Sequence, residues 1–86
     1  MPAESWFVYV LYSVTTGRLY TGISTDPQRR LQEHNAGKGV RYTRVGRPWQ
    51  IVHVHKCESK GEALRLELQI KKLQRHDRLL LVGLAC

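Results

Sequence analysis

Glu67 is the residue of this chain whose position most calls for chemistry. At about 100° per residue, Ala63, Leu66, Ile70 and Leu73 form one apolar stripe of a helix, and Leu64 lies on the far side of Glu67. The carboxylate therefore falls within the apolar arc, where it is costly unless paired or bound to a metal. The plainer alternative is a rim residue paired with Arg30 or Lys71. Arg30 could fork its permanent charge onto two phosphate oxygens and stabilise the charge that builds in an in-line displacement, or it could be one more solvated cation. His34 follows Arg30 by one helical turn and shares its face. With a pKa near neutrality it could touch phosphate or shuttle a proton, or it could simply pack. Tyr9 and Tyr20 alternate onto one sheet from neighbouring strands and could meet across a hairpin. A phenol there could orient or deprotonate a water, but with an ordinary pKa of about 10 it needs a metal and Arg30 beside it. Two core tyrosines with bonded hydroxyls would give the same sequence.

The acidic residues set a limit on metal chemistry. There are 7, and they are scattered. Holding two ions about 3.5–4 Å apart needs a cluster of carboxylates, which this chain can hardly provide. A single Mg²⁺ (or Mn²⁺) held mainly by Glu67, with waters and phosphate oxygens completing its octahedron, is what the composition permits. The segment Lys38-Gly39-Val40-Arg41-Tyr42-Thr43-Arg44 mixes cations with an aromatic ring. That suits phosphate tracking and stacking on a splayed base, and it equally suits an ordinary mobile loop. Lys71, Lys72 and Arg75 extend that footprint or solvate a helix, and Asn35 reads as a helix-end residue. His53, His55 and Cys57 alternate onto one side of a strand that Trp49 and Ile51 share. A fourth ligand for tetrahedral zinc is missing, so no metal site is expected there.

These side chains must be positioned by few elements, because 86 residues make one small domain with an economical core. Trp6–Tyr12 is aromatic, β-branched and apolar on both faces, as a central strand covered on both sides would be. A turn cluster over Ser13–Gly17 and a second strand over Arg18–Ile23 complete a hairpin. Asp26 and Pro27 open a helix to about Asn35, which Ala36-Gly37 ends. A basic glycine loop follows, and a third strand runs over Trp49–Lys56. Ser59 and Glu62 form a capping box for a second helix to about Gln74, and Asp77 caps a short last helix through Leu84. The expected class is α+β, a small three-stranded sheet in the order β-β-α-β-α-α flanked by helices.

Composition narrows the partner. Lys plus Arg number 14 against 7 acidic residues, a net charge of +7 with a pI near 9.9. Such an excess in a small domain favours nucleic acid. An anionic membrane surface fits less well, since the basic helices lack an aromatic amphipathic face. The apolar run Trp6–Tyr12 is too short to span a bilayer. The start carries Glu4 and no basic residue, unlike a signal peptide, and Cys57 and Cys86 form no disulfide framework. A cytoplasmic address is the expectation. No P-loop, nucleophile elbow or HExxH string is present.

Val8-Tyr9-Val10, followed about ten residues later by Tyr20-Thr21-Gly22, resembles the paired tripeptides that name the GIY-YIG nucleases. Arg30 on the first helix and Glu67 on the second match that family's pattern in type, order and approximate spacing. The resemblance runs from about Trp6 to Gln74 and is closest to the short stand-alone bacterial members. Phe7-Val8 replaces the first glycine–isoleucine pair, Thr21 the second isoleucine, and Ile23 stands where some members place a lysine. The resemblance implies a Mg²⁺-dependent endonuclease that hydrolyses DNA phosphodiester bonds, in DNA repair or processing. The resemblance carries Tyr9, Tyr20, Arg30 and Glu67 into the expected site; the residues themselves add His34, from its helix face, and Lys38, Arg41, Tyr42, Arg44, Lys71 and Lys72 toward nucleic acid. RNA in place of DNA stays open, as do a protein partner for targeting and the oligomeric state. The alternative is a binding module that keeps the fold without turnover. Glu67 argues against it, because a carboxylate repels phosphate unless a cation intervenes.

Overall fold

In the computed structural model, which describes residues 5–81 and 83, the elements follow the expected order. They are β1 (Trp6–Ser13), β2 (Leu19–Ser24), α1 (Pro27–Asn35), a 3-10 turn (Arg41–Arg44), β3 (Trp49–Cys57), α2 (Lys60–Lys72) and α3 (Arg75–Leu81). The sheet is antiparallel throughout, in the order β2-β1-β3. β1 is central, as its double-sided apolar pattern requires. Gly17, at φ +73°, closes the β1–β2 connection, its amide donating to the Ser13 carbonyl at 2.8 Å.

Local sequence explains the helix starts. The Asp26 carboxylate accepts from the Arg29 amide at 3.2 Å, and Pro27 fills the first helical position without losing a hydrogen bond. Ser59 Oγ accepts from the Glu62 amide at 3.1 Å. The return half of the expected box is displaced by one residue, because the Glu62 carboxylate accepts from the Glu58 amide. α2 ends at Lys72, two residues before the expected limit. α3 begins at Arg75, so Asp77 sits inside its first turn and not at its cap. The rest of the expected last helix, 82 and 84–86, falls outside the described residues, as does Cys86.

β1 divides the interior in two. Val8, Val10, Leu19, Cys57, Ala63 and Ile70 form one cluster, beneath α2. Tyr9, Leu11 and Trp49 form the other, with Tyr20, Leu31 and Ile51 packed against it. The register explains how β3 serves both. Val10 pairs with His53 but Leu11 pairs with Ile51, so Val52 is an extra residue in a β-bulge. The bulge changes the phase of side-chain alternation. Trp49 and Ile51 join the Tyr9 face, whereas His53, His55 and Cys57 join the Val8 face. The expectation that all five share one side is therefore corrected. Among the described residues, no group of three metal-ligating side chains forms there or elsewhere. No helix among them is long and apolar enough to cross a membrane.

Candidate active site

Tyr9 lies at the centre of the site and is buried. It faces Gly22 across the β1–β2 pair, and this pairing gives the glycine its role. A Cβ at Gly22 would stand 2.6 Å from the Tyr9 hydroxyl and 2.8 Å from the adjoining ring carbon. The phenol thus lies over bare backbone. Tyr20, one pair further along on the same face, brings its ring centroid to 6.3 Å from that of Tyr9.

His34, on α1, is completely buried, and both its ring nitrogens are engaged. Nε2 is 3.2 Å from the Tyr9 hydroxyl, and Nδ1 is 2.6 Å from Thr43 Oγ1. The Thr43 hydroxyl donates to the Val40 carbonyl at 3.0 Å. A hydroxyl has one proton to give, so Thr43 accepts from His34 Nδ1–H. Nε2 is then left as an acceptor, and the Tyr9 phenol donates to it. The network fixes the tautomer: Tyr9 O–H to Nε2, Nδ1–H to Thr43, Thr43 O–H to Val40. Gly39 lets the loop approach this closely, because a Cβ there would overlap the His34 ring. Burial, reinforced by the Arg30 charge, lowers the His34 pKa, against a smaller opposing effect of Glu33. The ring is therefore neutral. Contact between His34 and phosphate, one of its two expected roles, is ruled out by this burial.

Arg30 is partly exposed and pairs with Glu33 at 2.5 Å, not with Glu67. That hydrogen bond holds it firmly charged. Glu67 pairs instead with Lys71 at 3.4 Å, and its side chain is 16% exposed. Ala63 and Ile70 are buried, but Leu64 is open to solvent, so Glu67 sits at the margin of the apolar arc and not within it. Its charge reaches both phenols. Burial is the main cause raising the Tyr9 pKa, followed by Tyr20, with Glu67 adding to it and Arg30 acting against it. For Tyr20 burial again leads; Arg30 lowers and Glu67 raises. Tyr9, Tyr20 and His34 thus lie in mutual contact, with Arg30 and Glu67 near enough for their charges to act on both phenols. Glu67 is a single, mostly buried carboxylate beside the Lys71 ammonium, which suits one octahedral Mg²⁺ that keeps most of its waters and does not suit a metal pair.

The basic residues form a looser set. Lys38, Arg41, Arg44 and Lys72 are exposed. Tyr42 is 45% exposed and lies 6.1 Å from Tyr20 and 6.2 Å from Trp49 by ring centroids. Lys71 lines a cleft with Tyr20 and Tyr42, which Lys38, Arg41, Arg44 and Lys72 do not. Several supporting residues carried no signal in the sequence. Thr43 orients His34 from nine positions away. Arg18 lies over the Tyr42 ring at 5.8 Å. Asn35, expected only to end α1, clamps the start of β3, its Oδ1 accepting from the Trp49 amide at 2.6 Å while its Nδ2 donates to the Trp49 carbonyl at 3.1 Å. The Trp49 indole in turn donates to the Thr43 carbonyl. Only contact could reveal these roles, because neither spacing nor residue type announces them.

Residues 5–79 match the model of the GIY-YIG catalytic domain. A UPF0213 protein of Aeromonas hydrophila is 46% identical over 71 residues, which cover 83% of this chain and 52% of that protein, so the chain spans about half the length of that relative. A UPF0213 protein of Staphylococcus aureus is 40% identical over 79 residues, covering 92% of this chain and 95% of the relative. Among solved structures, the UPF0213 protein of Bacillus halodurans superposes with a TM-score of 0.58 at 40% identity, covering 93% of this chain and 84% of that one. A protein from E. faecalis superposes with a TM-score of 0.61 at 37% identity, covering 94% and 86%.

Proposed function

The chain belongs to the GIY-YIG catalytic-domain family, and from that premise we propose that it is a metal-dependent endonuclease hydrolysing DNA phosphodiester bonds. The observation that supports this reading is the buried Tyr9 bonded to neutral His34 and packed on Tyr20, with the charges of Arg30 and Glu67 acting on both phenols. A Mg²⁺ ion held by Glu67 would supply charge for the phosphoryl oxygens and the departing oxygen. Arg30 binds a non-bridging phosphate oxygen and stabilises the charge that accumulates as phosphorus is attacked. It exchanges its Glu33 partner for the substrate in doing so.

The phenol of Tyr9 acts as a relay. Both phenols are neutral at rest, because burial raises their pKa values. Tyr9 therefore accepts a proton from the attacking water only as it passes its own to His34 Nε2. The water oxygen bonds to phosphorus, the bond to the leaving sugar oxygen breaks, and the imidazolium holds the proton. The return of that proton through Tyr9 to the leaving oxygen restores the site. Tyr20 fixes the ring of Tyr9 and lines the approach. Lys38, Arg41, Tyr42, Arg44, Lys71 and Lys72 supply backbone contacts, which make binding strongly salt-dependent.

The test is cleavage of labelled single-stranded, duplex and branched DNA with and without Mg²⁺, by the wild type and a folded Glu67→Ala variant. Metal-dependent cleavage that disappears in the variant while DNA binding persists is the expected result. Equal residual activity in both proteins would overturn the mechanism. Binding without cleavage on every substrate would favour the binding-module alternative.

A further inference from the structure

Along the outer edge of β2 lies a cleft of about 310 Å³, lined by Leu19, Tyr20, Thr21, Tyr42, Lys71 and Arg78. Two of these belong to the site already described: Tyr20 packs on Tyr9, and Lys71 pairs with Glu67. The cleft therefore opens directly from the proposed scissile position. Its walls are of three kinds. Leu19 and the two tyrosine rings are apolar and aromatic. Lys71 and Arg78 are cationic, and Arg78 is held in place by donating to the carbonyls of Leu73 and Lys71. The third is Thr21, whose hydroxyl lies buried within the wall.

That hydroxyl is the one buried side-chain polar atom among the described residues without a hydrogen-bond partner. Thr21 as a residue is only 3% exposed. A buried, unpaired hydroxyl is unfavourable, and valine would fill the same volume without one. A bare phosphate would not need apolar walls, and an aliphatic ligand would not need the hydroxyl. A flat heterocycle with polar edges, attached to a phosphate, uses all three.

We propose that this cleft is the subsite for the base of the nucleotide flanking the scissile phosphate, taken unstacked. The base packs against Tyr20 and Tyr42, Thr21 Oγ1 bonds to its polar edge, and Lys71 and Arg78 face its phosphate. Tyr42 supplies affinity for any base, since every base has a π-face. Thr21 supplies the preference among bases. The assignment rests on the nuclease reading for its position relative to the scissile bond, but not for the binding itself.

The experiment is an NMR titration of the protein in EDTA with the four deoxynucleoside 5′-monophosphates and with 2-deoxyribose 5-phosphate. The Thr21 methyl and the Tyr42 ring are the reporters. The nucleotides should shift both saturably and bind at least about tenfold tighter than the sugar phosphate. Tyr42→Ala should weaken all four by about tenfold, and Thr21→Val should narrow the differences among them. Sugar phosphate binding as tightly as the nucleotides, or affinities unaltered by Tyr42→Ala, would overturn the assignment. An unchanged spread in Thr21→Val would remove Thr21 from base reading. Because no metal or cleavage is involved, a positive titration beside a failed cleavage assay would retain the base site and discard the nuclease.

Discussion

Val8 and Tyr9 are neighbours on β1, yet their side chains enter interiors built on opposite rules. Val8 joins Val10, Ala63, Cys57 and Ile70, a set stabilised by removing apolar surface from water. The one titratable group in that set is the Cys57 thiol, which burial, and to a lesser extent Glu62 and Glu58, push up so that it stays neutral. Tyr9 enters an interior where His34 and Thr43 are as fully buried as any valine. Those groups are tolerated because each hydrogen bond has a defined donor and acceptor. The first face can lose a methyl group and keep its function. The second cannot lose a single polar atom without leaving another unpaired.

The largest effect should come from removing one atom on the Tyr9 face. Tyr9→Phe keeps the ring over Gly22 and deletes the relay, so single-turnover cleavage should fall by about 10²–10⁴-fold, while the orphaned Nε2 of His34 should lower the thermal midpoint by roughly 5–10 °C. Activity within tenfold of wild type would erase the distinction between the faces. On the opposite face, Val10→Ala should cost about 2 kcal/mol, lowering the midpoint by roughly 10 °C. Cleavage measured well below that midpoint should be unaltered. A large loss of activity there would mean that the two interiors are coupled.

A gentler comparison uses pH. His34 has a folded-state pKa below its unfolded value of about 6.5. As pH falls below 6.5 the unfolded chain binds a proton that the folded protein resists, so stability declines until the folded pKa is passed. It is fully present above 6.5. Denaturant unfolding at a series of pH values should show this acid loss in the wild type and a smaller one in His34→Gln. Equal slopes would mean that the ring is not held neutral. The smallest effect should come from Thr21→Val, which replaces the unpaired hydroxyl by a methyl and should raise stability by about 1 kcal/mol. A loss of stability would show that the hydroxyl has a partner.

Most of the fold could be read from local chemistry. Asp26-Pro27, Ser59 and the double-sided apolar run of β1 each act over a few residues, and the elements they mark lie where expected. Tyr9, Tyr20, Arg30 and Glu67 could be put forward as a set because they match the family pattern in type and order. The bulge was not, because alternation through Trp49, Ile51, His53, His55 and Cys57 looks unbroken. A change of phase appears only when β3 is paired with β1. The function of Thr43 was hidden for a related reason. Its partner is brought to it by a glycine loop, and neither residue's type reveals the contact. Glu67 was placed in the apolar arc on the strength of Leu64, whose exposure shows that a leucine on a short helix need not mark the core.

The chain of bonds that ends at Val40 also sets where a proton can travel. Thr43 has committed its only hydrogen to that carbonyl, so it cannot carry a charge onward, and His34 has no contact with bulk water. In the proposed relay the imidazole is a reservoir with a single opening, through Tyr9. What enters during attack leaves by the same opening toward the departing oxygen. The solvent's dissolved buffer neither fills nor drains it, so at fixed pH the rate of each turnover is indifferent to how much buffer surrounds the protein.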